Sequence, residues 1–246
     1  MNYLVLILSL FSLNSFSKLL NEDDAINLII KLEKTYSDNA IIKNYLVRRQ
    51  NNILIYFMPD EEYVFGAPGI WGQASNDGRI FIAGGVLKSI FFTEETFLAL
   101  ICHEVGHLVG GQPAGASNLS FEGQADYYGA NVCMKKFYKA YPTDLYKPTF
   151  FHENYLIRCR DVYKSEEEIR ICIKTMQGGL NLAVASALAI KDIILPGPGI
   201  NEHHITPRTL EGRDSAQCIA DTFEAGAVCD LNPNRLIDFK KNKNYF

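Results

Sequence analysis

The residues best suited to chemistry lie at positions 103 to 107, where the chain reads His-Glu-Val-Gly-His. Two histidines four residues apart on an α-helix project from one face, so both imidazoles can bind the same cation. The flanking positions are mostly apolar, which predicts a buried helix, and a buried imidazole needs a polar partner. The pattern therefore predicts a metal site with His103 and His107 as ligands.

A catalytic zinc site has three protein ligands and a fourth position for water, so one more donor is required. Glu122 is the best candidate, because the Gly- and Pro-containing turn at 110–115 lets a second helix fold back against the first. Asp126 lies one turn further on the same face and can accept the other N–H of a ligand histidine. The alternative for Glu122 is an ordinary first-turn glutamate that is stabilised by the helix dipole.

Glu104 has a different predicted role. Its side chain is rotated by about 100° from His103 around the helix, so it can contact a water on the metal without being a ligand. A carboxylate placed there can take the proton of that water during attack on a carbonyl and deliver it to the leaving amine. The motif therefore predicts Glu104 as the general base of an amide hydrolysis.

Two helices must position these residues. Thr93 can cap the first helix, which has acidic residues in its first turn and runs through the motif to about Gly110. The second helix is expected to begin near Ser117 or Ser120 and to continue to about Tyr141. This pairing places the histidines and Glu122 on neighbouring helices.

The remaining elements are predicted from periodicity and turn residues. They are helices at 23–36, 165–191 and 215–228, and strands at 52–58 and 79–83. The Asn76-Asp77-Gly78 sequence predicts a hairpin-type turn before the last strand. That strand is either a sheet edge where an extended substrate can add itself or an internal strand. The predicted class is α+β, mostly helical, with a small sheet packed on the zinc-site helices.

The segment from Thr93 to Gly111, followed by Glu122-Gly-Gln-Ala-Asp126, resembles the gluzincin metallopeptidases, in particular the HtpX-like and CAAX-prenyl-endopeptidase-like group. The resemblance covers residues 65–135. It implies a zincin-like fold, one zinc ion per chain and hydrolysis of peptide bonds. The chain departs from that group in two ways: it lacks the hydrophobic membrane spans, and the interval between His107 and Glu122 is shorter than in many members.

Members of this group often stabilise the oxyanion of the intermediate with a histidine or arginine from a C-terminal segment. The resemblance therefore points to His204 and Arg213 equally, with His203 as a third possibility. A role on a surface loop is the alternative for these residues. The hydroxyl of Tyr127 or Tyr128 could serve the same purpose, although aromatic residues on a packed helix are more often part of the core.

The N-terminus carries an apolar run at 3–13, which is shorter than the roughly twenty residues that a membrane-spanning helix needs. Such a run is typical of a signal peptide, and the small residues Ser15 and Ser17 predict cleavage after Ser17. We therefore expect export to the periplasm or secretion, and no stable membrane span after cleavage. A buried N-terminal helix or an uncleaved anchor is the alternative.

The expected organisation is a signal peptide at 1–17 and a single zincin-like domain at 18–246, with a catalytic core at 65–140 and a helical part at 150–230. The chain has six cysteines, an even number that suits an oxidising compartment. Short loops favour the pairs Cys159–Cys172 and Cys218–Cys229, and buried free thiols are the alternative.

Composition limits the classes of function. With 48% hydrophobic and 21% charged residues the chain is globular, and a net charge of −4 without a basic block argues against nucleic-acid binding. The leading hypothesis is an exported zinc endopeptidase with a peptide or protein substrate. The alternatives are a metal amidase that acts on cell-wall peptides and a secreted, disulfide-stabilised binding module with a structural metal. The sequence leaves the oligomeric state open.

Overall fold

The computed structural model describes residues 19–37, 54–67, 71–147, 149–190, 195–198 and 215–229. The described chain is α+β, as predicted: it is mostly helical and has one small mixed sheet. The predicted signal peptide lies outside the described residues, and so do His203, His204 and Arg213.

The α-helices of the described part, in chain order, are α1 Glu22–Ser37, α2 Glu94–Val109, α3 Glu122–Tyr128, α4 Lys135–Ala140, α5 Pro142–Leu145, α6 Glu153–Val162, α7 Glu166–Ala189 and α8 Ala216–Val228. Short 3-10 segments cover Val64–Gly66 and Gly84–Lys88. The helices predicted at 23–36, 165–191 and 215–228 are confirmed as α1, α7 and α8. Helix α6 was not predicted, because only Tyr155 and Cys159 of its ten residues are buried and its sequence is otherwise polar.

The helix after the motif begins later than predicted. Residues before Glu122 form a closed loop in which Ala114 and Ser120 make an isolated β-bridge and the Ser120 N–H donates to the His107 carbonyl at 2.8 Å. The helix thus starts two residues after Ser120, the later of the two expected starts, and its continuation ends at Ala140, close to the expected end at Tyr141. From Glu122 the chain continues through α3, a π-helical segment at Gly129–Met134 and α4.

The sheet has the strand order β1-β3-β2, where β1 is Leu54–Met58, β2 is Gly72–Ala74 and β3 is Arg79–Ala83. Strand β1 runs parallel to β3, and β2 runs antiparallel to it, so both predicted strands are confirmed. The predicted turn is also present: Gly78 has φ 91° and donates its N–H to the Ser75 carbonyl at 2.9 Å. Because β3 is paired on both sides, it is an internal strand, and β2 is an edge of the sheet that the described residues form.

Helix α2 lies in the centre of the described fold. Its predicted N-cap is confirmed, since the Thr93 hydroxyl accepts from the Thr96 N–H at 3.4 Å. Helices α1, α3 and α7 and strands β2 and β3 all pack against it. A helix enclosed in this way has no face turned to solvent, so nearly every residue of α2 is buried.

Glu95 at the start of α2 is buried rather than solvated. Lys174 of α7 donates to Glu95 Oε1 at 2.6 Å, and the Lys174 ammonium also contacts the Thr149 hydroxyl at 2.6 Å. Burial raises the pKa of the Glu95 carboxyl, but the charge and hydrogen bond of Lys174, with the bond from Thr149, lower it more in sum. The net pKa lies below the ordinary value, so this carboxylate stays ionised and joins α2 to α7.

Two disulfides connect helices in the described chain. The predicted Cys159–Cys172 bond is confirmed and joins α6 to α7. A second bond joins Cys102 of α2 to Cys133 of the π-helical segment. This pairing was not expected, because the two cysteines are 31 residues apart in sequence and meet only when the helices cross.

The expected Cys218–Cys229 bond is wrong, because both residues carry free thiols in the described structure. They lie at opposite ends of α8, about 16 Å apart at a rise of 1.5 Å per residue. A disulfide requires α-carbons within about 7 Å of each other.

None of the helices in the described ranges combines the length and the apolarity that are needed to cross a bilayer.

Candidate metal centre

The site is built where α2 crosses α3, and glycines allow the two helices to approach closely. A β-carbon on Gly106 would lie 2.4 Å from the carbonyl oxygen of Ala125. A β-carbon on Gly129 would lie 3.2 Å from backbone atoms of Cys102. Glycine at these two positions therefore permits the close packing of the two helices. The crossing brings one face of α2 against the first turn of α3.

Three predicted ligands meet at this crossing. His103 Nε2 lies 3.0 Å from His107 Nε2 and 3.3 Å from Glu122 Oε2, and His107 Nε2 lies 3.5 Å from Glu122 Oε1. Two ligands that each lie about 2.0–2.1 Å from an ion at a tetrahedral angle are about 3.3–3.4 Å apart. The observed separations agree with this value, so the three residues could hold one metal ion.

Hydrogen bonds on the far side of each ring fix the histidine tautomers. His103 Nδ1 donates to Asp126 Oδ1 at 2.8 Å, and His107 Nδ1 donates to the Ser120 carbonyl at 2.7 Å. A carboxylate and a carbonyl only accept, so the proton of each neutral ring resides on Nδ1. Both Nε2 atoms therefore direct lone pairs towards the same point, and Glu122 adds a carboxylate.

The converging lone pairs of the three donors suit a cation. Two nitrogen lone pairs 3.0 Å apart and a carboxylate beside them repel one another unless positive charge lies between them. His103 is buried, whereas the side chains of His107 and Glu122 are 13% and 28% exposed. The donor set thus has a closed side and an open side, as a site that admits a further ligand requires.

Glu104 lies next to the three donors but is not one of them. Its Oε1 is 3.8 Å from His103 Nε2, and its side chain is almost fully buried. The same carboxylate oxygen lies close to Gly72 of β2. The structure therefore places Glu104 between the donor set and the edge strand.

Ser120 was missed by sequence analysis. Its carbonyl accepts from His107 Nδ1, its N–H donates to the His107 carbonyl at 2.8 Å, and its hydroxyl donates to the Gly111 carbonyl at 2.8 Å. The contact that matters to the imidazole is made by the main chain, so no side-chain pattern indicates it. The loop closure that produces it also delivers Glu122 to the site.

The two tyrosines considered as hydroxyl donors contact groups elsewhere. The Tyr128 hydroxyl contacts Tyr36 of α1, and burial raises its pKa to about 12. Tyr127 contacts Cys229 at the end of α8, and its pKa is raised by burial and by that thiol. Both hydroxyls are therefore engaged in helix packing.

Comparisons with protein families, with curated proteins and with solved structures gave no match for the chain.

Proposed function

We propose that the chain is a zinc-dependent endopeptidase with a zincin-like fold. The observation that supports this proposal is the convergence of two Nε2 lone pairs and the Glu122 carboxylate at tetrahedral spacing, with a further carboxylate beside them. Imidazole nitrogen and carboxylate oxygen are ligands that zinc accepts, and three protein ligands with an open position are typical of catalytic zinc. We propose one zinc ion per chain.

The residues have distinct roles in the proposed reaction. His103, His107 and Glu122 would hold the zinc ion, which would supply Lewis-acid chemistry that makes water nucleophilic near neutral pH. The Glu104 carboxylate accepts the proton of the attacking water and donates it to the leaving amine. Asp126 and the Ser120 carbonyl hold the two imidazoles with Nε2 directed at the ion.

The proposed substrate is a peptide or protein in extended conformation. The sequence-based suggestion that it adds to β3 fails because that strand is internal. Strand β2 is the edge nearest to Glu104, and backbone hydrogen bonds along it would bind substrates with little dependence on sequence. His204 and Arg213 lie outside the described residues, and their role in stabilising the oxyanion of the intermediate stays a prediction.

We further propose that the enzyme is exported, with residues 1–17 as signal peptide, and acts in the periplasm or after secretion. The two disulfides in the described part agree with an oxidising compartment. We propose no nucleic-acid partner, because the net charge is −4.

Substitution Glu104→Gln tests the proposal. It keeps the shape of the side chain and removes the base, so hydrolysis of casein should fall by roughly 100- to 10,000-fold while bound zinc is unchanged. Glu167→Gln, at an exposed position in the first turn of α7, is the control and should have wild-type activity.

Two other outcomes would contradict the proposal in different ways. Retained zinc with equal turnover in wild type and Glu104→Gln would exclude Glu104 as the base. Retained zinc with no hydrolysis of casein would direct attention to cell-wall peptides, assayed on peptidoglycan, or to a structural metal in a binding module.

A further inference from the structure

We propose that Gly72 is a positioning residue for Glu104: the absence of a side chain at position 72 leaves the space in which the general base must lie. The inference rests on the proposed function and concerns the strand opposite the two metal-ligand helices. It assigns to β2 a role in the placement of the reacting carboxylate.

The distances between the two residues support this assignment. A β-carbon on Gly72 would lie 2.7 Å from Glu104 Oε1, 3.0 Å from Cγ and 3.1 Å from Cδ. Carbon atoms at their optimal separation are about 3.5–4.0 Å apart, so a methyl group here overlaps the carboxylate. One of the two residues must therefore move when position 72 carries a side chain.

The strand is held more firmly than the carboxylate. Gly72 is in register with Ile82 of β3, and the Ala83 N–H donates to the Trp71 carbonyl at 2.8 Å. Trp71 packs edge-on against Phe92 with ring centroids 5.2 Å apart. Backbone and aromatic contacts thus anchor this end of β2, whereas Glu104 is a side chain with rotatable bonds. We expect a β-carbon to displace the Glu104 carboxylate rather than β2.

Three other close-packed glycines in the described fold have a different environment. A β-carbon on Gly84, Gly85 or Gly106 would collide with the backbone of Pro59, Glu62 or Ala125, respectively. Those glycines allow chain segments to approach, and their replacement must deform the fold. At Gly72 the three nearest atoms all belong to the Glu104 side chain. Substitution should therefore affect catalysis more than stability.

The test is Gly72→Ala, measured for turnover, KM, zinc affinity and thermal midpoint. Because misplacement of a reacting group by about 1 Å can cost a factor on the order of 100, we expect a kcat decrease of that order. Zinc affinity should stay within about twofold, because no ligand moves. Asn76→Ala, at an exposed position in the turn after β2, is the control and should have wild-type kcat.

A double-substitution cycle separates positioning from general damage. Glu104→Asp shortens the acid and withdraws it from position 72, so adding Gly72→Ala should cost much less in that background than in wild type. An equal fold-loss in both backgrounds would overturn the proposal. Loss of zinc and of cooperative unfolding in Gly72→Ala would overturn it as well, since the glycine would then serve packing.

The proposal can also be tested if the proposed function fails. If wild type hydrolyses neither casein nor peptidoglycan, the crystal structure of zinc-loaded Gly72→Ala decides. A displaced Glu104 carboxylate with unmoved His103 and His107 supports the proposal, and a wild-type carboxylate position overturns it.

Discussion

The two candidate ligand histidines are held by different groups. His103 donates to the carboxylate of Asp126, which is 1% exposed, whereas His107 donates to the main-chain carbonyl of Ser120. An anionic acceptor raises the basicity of the ring more than a neutral carbonyl does. A side-chain substitution can therefore weaken the hydrogen bond that holds His103, but not the one that holds His107.

We predict that Asp126→Asn lowers zinc affinity by about 10- to 100-fold. The amide keeps the size of the carboxylate but removes its charge from the buried hydrogen bond. Competition with a chelator of known affinity measures the change. Asp161→Asn, on the exposed face of α6, is the matched control. Equal affinity of wild type and Asp126→Asn would contradict the role assigned to this residue.

The residues that sequence could identify are those whose relation is set by helix geometry. The spacing of His103 and His107 and of Glu122 and Asp126 places each pair on one helix face. Ser120 acts through its carbonyl, and Gly72 acts through an absent side chain across a long sequence interval. Neither role produces a periodic pattern in the sequence, so both could be identified only from the folded structure.

At the scale of elements, the Cys102–Cys133 disulfide lies directly beside the proposed centre. Cys102 precedes His103 on α2, and Cys133 lies in the π-helical segment that continues from α3. The bond therefore links the helix that carries the histidines to the helix that carries Glu122. The Cys159–Cys172 bond links α6 to α7, away from the donors.

We predict different consequences for the loss of these two bonds. Loop entropies for the sequence separations of 31 and 13 give losses of unfolding free energy of about 4 kcal/mol for Cys102→Ala with Cys133→Ala and about 3 kcal/mol for Cys159→Ala with Cys172→Ala. Only the first pair should also weaken zinc binding. Urea unfolding of metal-free protein and zinc titration measure the two effects. Equal zinc affinities in both double variants would contradict the coupling.

Sequence periodicity identified most long helices but not their interruptions. The π-helical segment at Gly129–Met134 inserts a wider turn into a continuous helix, and an apolar pattern with period 3.6 does not register it. The polar sequence of α6 concealed its short buried stripe. The Cys218–Cys229 expectation failed because loop length was considered without the helix that separates the two thiols.

At the scale of the molecule, α2 serves as both the core and the carrier of the site. Helices α1, α3 and α7 and strands β2 and β3 surround it, and the buried Lys174–Glu95 pair fixes its first turn. The α+β class followed from the predicted elements, whereas the central position of α2 did not. Enclosure of α2 keeps the His103 and Glu104 side chains away from bulk water, which strengthens electrostatic interactions at the donors.

The most direct test of the account is the position of zinc in crystals of the purified chain, located by anomalous scattering at the zinc edge. We predict one ion per chain, about 2.0–2.2 Å from His103 Nε2, His107 Nε2 and a Glu122 oxygen. We also predict that His103→Ala removes this ion. Absence of zinc after loading, or zinc bound to other residues, would contradict the account.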